Sequence, residues 1–161
     1  MLTFDTAFKE ALYRDADHAS RKRAHRQIHP EASDAVQRIA IALRQGTYIP
    51  PHRHPQPHAW EFIHVTDGSV KLILFTADGE VDKVMLLGPP HDAFAVQLPP
   101  NTLHTLVCLS EHALFFEVKQ GPYDPATAKA GVTWAPEEGD EQVAAYLARL
   151  TDATTGQLLT L

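Results

Sequence analysis

Cysteine is almost missing from this chain. Cys108 is the only one among 161 residues, so no disulfide can close within it, and a reducing cytoplasm is the expected compartment. Long apolar runs are missing too: nothing approaches the roughly 20 consecutive apolar residues that a membrane-crossing helix needs. The opening MLTFDTAFKEALYRD carries acids throughout and lacks the apolar core of a signal peptide. These absences exclude a membrane helix and predict a soluble protein. Basic charge is also in short supply, with 14 Lys and Arg against 20 Asp and Glu and a net charge of −6. Nucleic acid is therefore not the expected partner, because phosphate binding draws on a basic field. Internal repeats and low-complexity stretches are absent as well. A chain of this size buries roughly two-thirds of its unfolded surface unaided. Its ten histidines are thus free for chemistry.

What is present begins with a helix. Leu2, Phe4, Phe8, Leu12 and Tyr13 recur at steps of three and four, and Asp5 can cap, which predicts an amphipathic helix over 5–18. Residues 18–30, HASRKRAHRQIHP, hold three histidines and four basic side chains with little apolar content. They read either as a solvated connector or as an arm over the mouth of a site. In the second case Arg21, Arg23, His25 and His29 face an anionic ligand, since guanidinium forks suit carboxylate and phosphate oxygens.

From residue 36 the period becomes two. In VQRIAIALR, Ile39, Ile41 and Leu43 alternate with Arg38, Ala40 and Ala42, as in a strand with one face against a core. Six further short runs follow from Trp60 to Gln120, separated by Asp67-Gly68, Asp78-Gly79, Gly88-Pro89-Pro90, Pro99-Pro100-Asn101 and Ser110-Glu111-His112. The two Asp-Gly pairs predict hairpins. Short strands without intervening helices predict an antiparallel sandwich or small barrel. A Pro- and Gly-rich excursion then leads to a second helix over 140–150 and a frayed or docked tail at 151–161. The expected organisation is an N-terminal helix and basic arm (1–35) packed on a barrel (36–120), followed by a C-terminal loop and helix (121–161).

His52 and His54, two apart in an extended segment, aim their imidazoles to one side. Glu61 lies on the face of Ile63 and Val65, which is inward, and a lone inward carboxylate needs a partner such as a metal. His104 opens a later run on the face of Leu106 and Cys108, and a neighbouring antiparallel strand can bring it to the other three. His64 points away from Glu61, and Cys108 reads as a small buried apolar residue.

These residues resemble the two cupin motifs, Gly-x5-His-x-His-x3,4-Glu-x6-Gly and Gly-x5-Pro-x-Gly-x2-His-x3-Asn. The first is matched by Gly46, His52, His54, Glu61 and Gly68, the second by Pro99, Asn101 in place of glycine, and His104. The gap between His54 and Glu61 holds six residues, which leaves His58 as an alternative ligand to Glu61. Asn101 is a mild change, because asparagine tolerates the left-handed region. Cys108 stands where the final asparagine would be.

The stretch Arg21–His29, the segment Tyr48–Pro55, the run Phe116-Glu117-Val118-Lys119-Gln120-Gly121-Pro122-Tyr123 and Trp134-Ala135-Pro136-Glu137 resemble the WbuC-type cupin-fold metalloproteins of bacteria, a likeness over roughly residues 18–138. The resemblance implies a mainly β fold: a single cupin, the jelly-roll-like double-stranded β-helix, with a short helix at each end. It also implies one divalent transition metal per chain, for which three imidazoles and a carboxylate suit Fe, Mn, Ni, Co or Zn. Surface-polysaccharide metabolism and a homodimer are further implications. With that likeness Glu117, Lys119 and Tyr48 become candidate acid, base or substrate-anchoring groups; without it Glu117 and Lys119 read as a surface ion pair. Two functions remain open: a metal-dependent enzyme (isomerase, epimerase or oxygenase) on a small anionic, sugar-derived substrate, or a non-catalytic metal-dependent sugar- or metabolite-binding module.

Overall fold

The computed structural model describes residues 1–161. In chain order its elements are α1 (Thr6–His18), β1 (Arg23–Gln27), β2 (Val36–Arg44), β3 (His52–Arg53), β4 (Glu61–Asp67), β5 (Val70–Phe75), β6 (Val81–Leu87), β7 (Ala95–Leu98), β8 (His104–Cys108), β9 (His112–Gln120), β10 (Ala130–Gly131) and α2 (Val143–Thr151). Two five-stranded antiparallel sheets make the cupin barrel, in the orders β1-β2-β9-β4-β7 and β10-β3-β8-β5-β6.

Alternation along each strand sorts side chains between the barrel interior and its outer coverings. Ile41 and Leu43 of β2 join Ile63, Val65, Leu72, Leu106 and Phe115 in the interior core. Ala40 and Ala42 of the same strand face outward and lie under α1, against Leu12 and Ala16. Helix α1 starts where it does because the Asp5 carboxylate accepts the Phe8 backbone N–H at 2.9 Å, satisfying one of the free donors of the first turn. The outer face of the other sheet is sealed by α2 and the tail, with Tyr146, Leu150 and Leu159 fully buried against Ile73 and Val107. Residues 151–161 are therefore docked, and the Leu159 and Leu161 backbone N–H groups donate to Gly79 and Trp134 carbonyls. No helix is long and apolar enough to cross a membrane.

Two sequence expectations change. The segment at 18–30 is not an irregular connector. Arg23–Gln27 is strand β1, paired antiparallel with β2 from Arg23↔Leu43 to Gln27↔Ile39. The second concerns Asp67-Gly68. Asp78-Gly79 does close a hairpin, since β5 pairs with β6, but β4 and β5 belong to different sheets. The chain at Gly68 thus steps across the barrel instead of folding back on itself. Gly68 has φ +76°, and a Cβ there would run into the His112 carbonyl, so glycine is required on both counts.

Candidate metal centre

The strand registers stack the inner face of the first sheet in rows. One row holds Gln37, Lys119, Glu61 and Leu98. The next holds Gln27, Ile39, Glu117, Ile63 and Val96. Across the barrel, His52 of β3 pairs with His104 of β8. The Asn101 N–H donates to the His54 carbonyl at 2.8 Å, tying the two motif loops together. Asn101 takes φ +63°, the left-handed turn that its type tolerates.

His52, His54 and His104 converge, each offering a ring nitrogen that lies within 4.8 Å of the others. All three are buried. Each Nδ1 sits against a backbone carbonyl: His52 on Pro50 at 2.9 Å, His54 on Ala128 at 2.5 Å and His104 on Thr102 at 3.0 Å. A carbonyl only accepts, so each Nδ1 serves as a donor to the backbone and each ring turns its Nε2 toward the cluster. Glu61 is 3 % exposed. Its Oε2 lies 3.1 Å from His104 Nε2, and its Oε1 lies 3.7 Å from His54 Nε2. Nevertheless His54 Nε2 and Glu61 Oε2 have no hydrogen-bond partner of adequate geometry. Buried polar atoms left this way are costly, and a shared cation would satisfy both. The donor set, three borderline nitrogens and a carboxylate, fits a divalent transition metal.

Burial opposes charge at this site, and the neighbours decide the outcome. Burial pushes the Glu61 carboxyl up, but His104, His54 and Lys119 outweigh it and hold the group well below the usual carboxylate range. Burial, His104 and Lys129 press His52 well below the usual imidazole value, so it stays neutral. Glu117 is pushed up to about 7 by burial and by the Glu61 charge. Lys119 Nζ reaches Glu117 Oε1 at 2.6 Å and Glu61 Oε1 at 3.9 Å, so one ammonium serves two carboxylates.

The site opens into a cavity of about 480 Å³, within the size range of small-molecule pockets. A larger concavity of about 620 Å³ lies outside the barrel between α1 and the sheet, lined by Phe4, Phe8, His64 and Phe116. It contains none of the converging groups, so the barrel cavity is the functional candidate.

Most of the predicted site residues meet in that cavity. Glu117, Lys119, Arg21, Arg23, His25 and His29 all line it along with the three histidines and Glu61. Tyr48 does not. It packs in the outer core with Tyr146 and donates its hydroxyl to the Pro136 carbonyl at 2.7 Å. His58 is also outside the cluster, in an adjoining hollow with Gln56 and Tyr123.

Glu138 is the group that the sequence did not reveal. Its carboxylate bridges Arg21 Nη2, at 2.6 Å, and Arg23 Nη2. Arg23 is further held by the Tyr48 carbonyl at 2.9 Å. The two arginines thus already bind a carboxylate, one drawn from the irregular C-terminal excursion where no periodicity marks it.

Among solved structures, the polyketide cyclase RemF of Streptomyces resistomycificus matches with a TM-score of 0.54 and 21 % identity over 78 % of each chain. An oxalate oxidase in complex with the substrate analogue glycolate matches with a TM-score of 0.54 and 16 % identity, covering 71 % of this chain and 57 % of the oxidase. A single-residue variant of the oxalate decarboxylase of B. subtilis gives 0.53 and 17 %, covering 68 % of this chain and 28 % of that one. The chain therefore spans little more than half of the oxidase and about a quarter of the decarboxylase. At these identities the likeness is one of fold. No curated protein matches the sequence. A family model described as "Domain of unknown function (DUF6016)" matches residues 4–87, just over half of the 161 residues, and the chain belongs to that family.

Proposed function

We propose that this cupin is a metal-dependent enzyme acting on a small anionic substrate, with His52, His54, Glu61 and His104 holding one divalent transition metal. The observation that carries this reading is the convergence of three buried imidazoles whose Nδ1 atoms are all committed to backbone carbonyls. A bound metal supplies Lewis-acid polarisation of a substrate oxygen or, for a redox-active ion, oxygen chemistry. Iron, manganese, nickel, cobalt and zinc all suit this donor set.

The chain's own residues supply the rest. Glu117 and Lys119 sit in the same cavity wall as the imidazoles, where a carboxyl and an ammonium can hold or pass a proton beside the substrate. Their place there favours catalysis over a purely binding module. Arg21, Arg23 and His25 form the basic wall for an anionic end. The oxalate oxidase of the same fold carries bound glycolate, which supports a small carboxylate here. The WbuC likeness supports surface-polysaccharide metabolism, an isomerase, epimerase or oxygenase reaction, and a homodimer, which light scattering would test.

Elemental analysis of the purified protein tests the metal assignment. Close to one transition metal per chain is expected, with His52→Ala and His104→Ala losing it; full occupancy in both variants would overturn the four-ligand set. Arg21→Ala with Arg23→Ala should weaken binding of oxalate or inorganic phosphate and leave the metal content unchanged.

A further inference from the structure

The cavity is not polar throughout, and the order of its surfaces constrains what fits. At one end are the imidazoles, Glu61, Glu117 and Lys119; at the other are Arg21 and Arg23. The registers show what lies between. Ile39 pairs with Glu117 on one side and Gln27 on the other, and Ile41 pairs with Phe115 and His25. Between Gln37, in the row of Lys119 and Glu61, and the outer end of β2, the strip facing the cavity is apolar at Ile39 and Ile41, and Ile49, Leu106 and Phe115 also line the cavity.

Most of these side chains also belong to the sealed core, which alone would explain their type. Ile39 and Ile49 are different. Both are packed only partly against the core, and both line the cavity, so their remaining apolar surface faces whatever enters. A bare sugar or sugar phosphate carries hydroxyls on every side and would leave several of them without partners along this strip, a loss that buried polar sites penalise heavily.

We infer that the ligand has a metal-chelating polar head joined to an apolar body of several carbons, which lies over Ile39, Ile41, Ile49, Leu106 and Phe115. This inference rests on the metal reading above. It deepens that reading by giving the substrate class: a hydrophobic oxo, hydroxy or carboxylic acid instead of an unmodified sugar. From Glu61 on β4 to β1 is three strand spacings, about 14 Å, which accommodates such a body.

Alkyl hydroxamates chelate divalent metals through a constant head and allow the tail to be varied. Calorimetric titration of Zn(II)-loaded protein with aceto-, butano- and hexanohydroxamate measures head and tail separately. The dissociation constant is expected to fall about fourfold per added methylene, as burial of hydrocarbon predicts. Ile39→Thr keeps the branched shape that a strand favours. It should weaken hexanohydroxamate binding about fivefold and leave acetohydroxamate within twofold. If acetohydroxamate binds but the series is flat or worsens with length, the apolar-body inference is overturned and the metal reading stands. If no member binds to protein that has taken up zinc, or zinc is not taken up, the metal reading falls and the inference with it.

Discussion

At the scale of single residues, the site is governed by one cation shared between two buried acids. Lys119 Nζ is 2.6 Å from Glu117 and 3.9 Å from Glu61, and its side chain is only 14 % exposed. Removing one partner from such a group leaves a charge buried without compensation, which costs on the order of 3–5 kcal/mol. Lys119→Met in metal-free protein should therefore lower unfolding stability by about 3 kcal/mol in urea titration. A loss below about 1 kcal/mol would place the pair in solvent-screened surroundings. The residue scale was also where the sequence was most legible. His52, His54, Glu61 and His104 are ligand types at a motif spacing, and the structure brings them together. Glu138 was illegible because its partners, Arg21 and Arg23, are 115 or more positions away, and no local pattern encodes such a contact. Tyr48 was misplaced because its hydroxyl can satisfy the Pro136 carbonyl as readily as it could a substrate.

At the scale of elements, α1 is fastened by both packing and charge. Leu12 and Ala16 are fully buried, while Asp67 at the end of β4 accepts from Tyr13 Oη at 2.8 Å and pairs with Lys9 at 2.9 Å. Burial pushes the Asp67 carboxyl up, but Lys9 and Tyr13 outweigh it and hold the group below its usual value. A depressed folded value stabilises above the unfolded pKa, and that stability is lost as the pH falls through the folded value. The Asp67 side chain is 39 % exposed, so screening limits the effect to about 1 kcal/mol or less. Comparison of urea midpoints for wild type and Asp67→Asn should show that gap at pH 7 and its disappearance as the pH falls below about 4. A gap that persists at pH 3 would assign it to packing.

Elements were legible in the sequence wherever one face met an apolar core. The strand at 36–44 was plain from Ile39, Ile41 and Leu43. β1 was hidden for the opposite reason: its inward residues, Arg23, His25 and Gln27, face a polar cavity, so the hydrophobic alternation that marks a strand never develops. The Asp67-Gly68 turn misled because local chemistry specifies a reversal and leaves open whether the chain re-enters the same sheet.

At the scale of the whole molecule, metal and fold are coupled by mass action. A metal that binds only the folded chain, at a hundred times its dissociation constant, adds about 2.7 kcal/mol. For a domain of this size, that corresponds to about 5–10 °C in Tm. Thermal scans of metal-free protein with added Zn(II), Mn(II) or Fe(II) should show such a rise, reversed by chelator and absent in His52→Ala. The two helices and the docked tail cover much of the outside of the barrel.

The backbone carbonyls behind the three imidazoles differ in one respect. His52 and His104 lean on carbonyls two residues before themselves, at Pro50 and Thr102, so each carries its own support within a few residues. His54 leans on Ala128, seventy-four positions downstream. During synthesis on the ribosome, the Nδ1 supports of His52 and His104 emerge with their own loops. His54, although made early, cannot be oriented until residue 128 has followed. A chain that stops before that point carries the complete histidine motif but lacks the carbonyl that holds the His54 Nδ1.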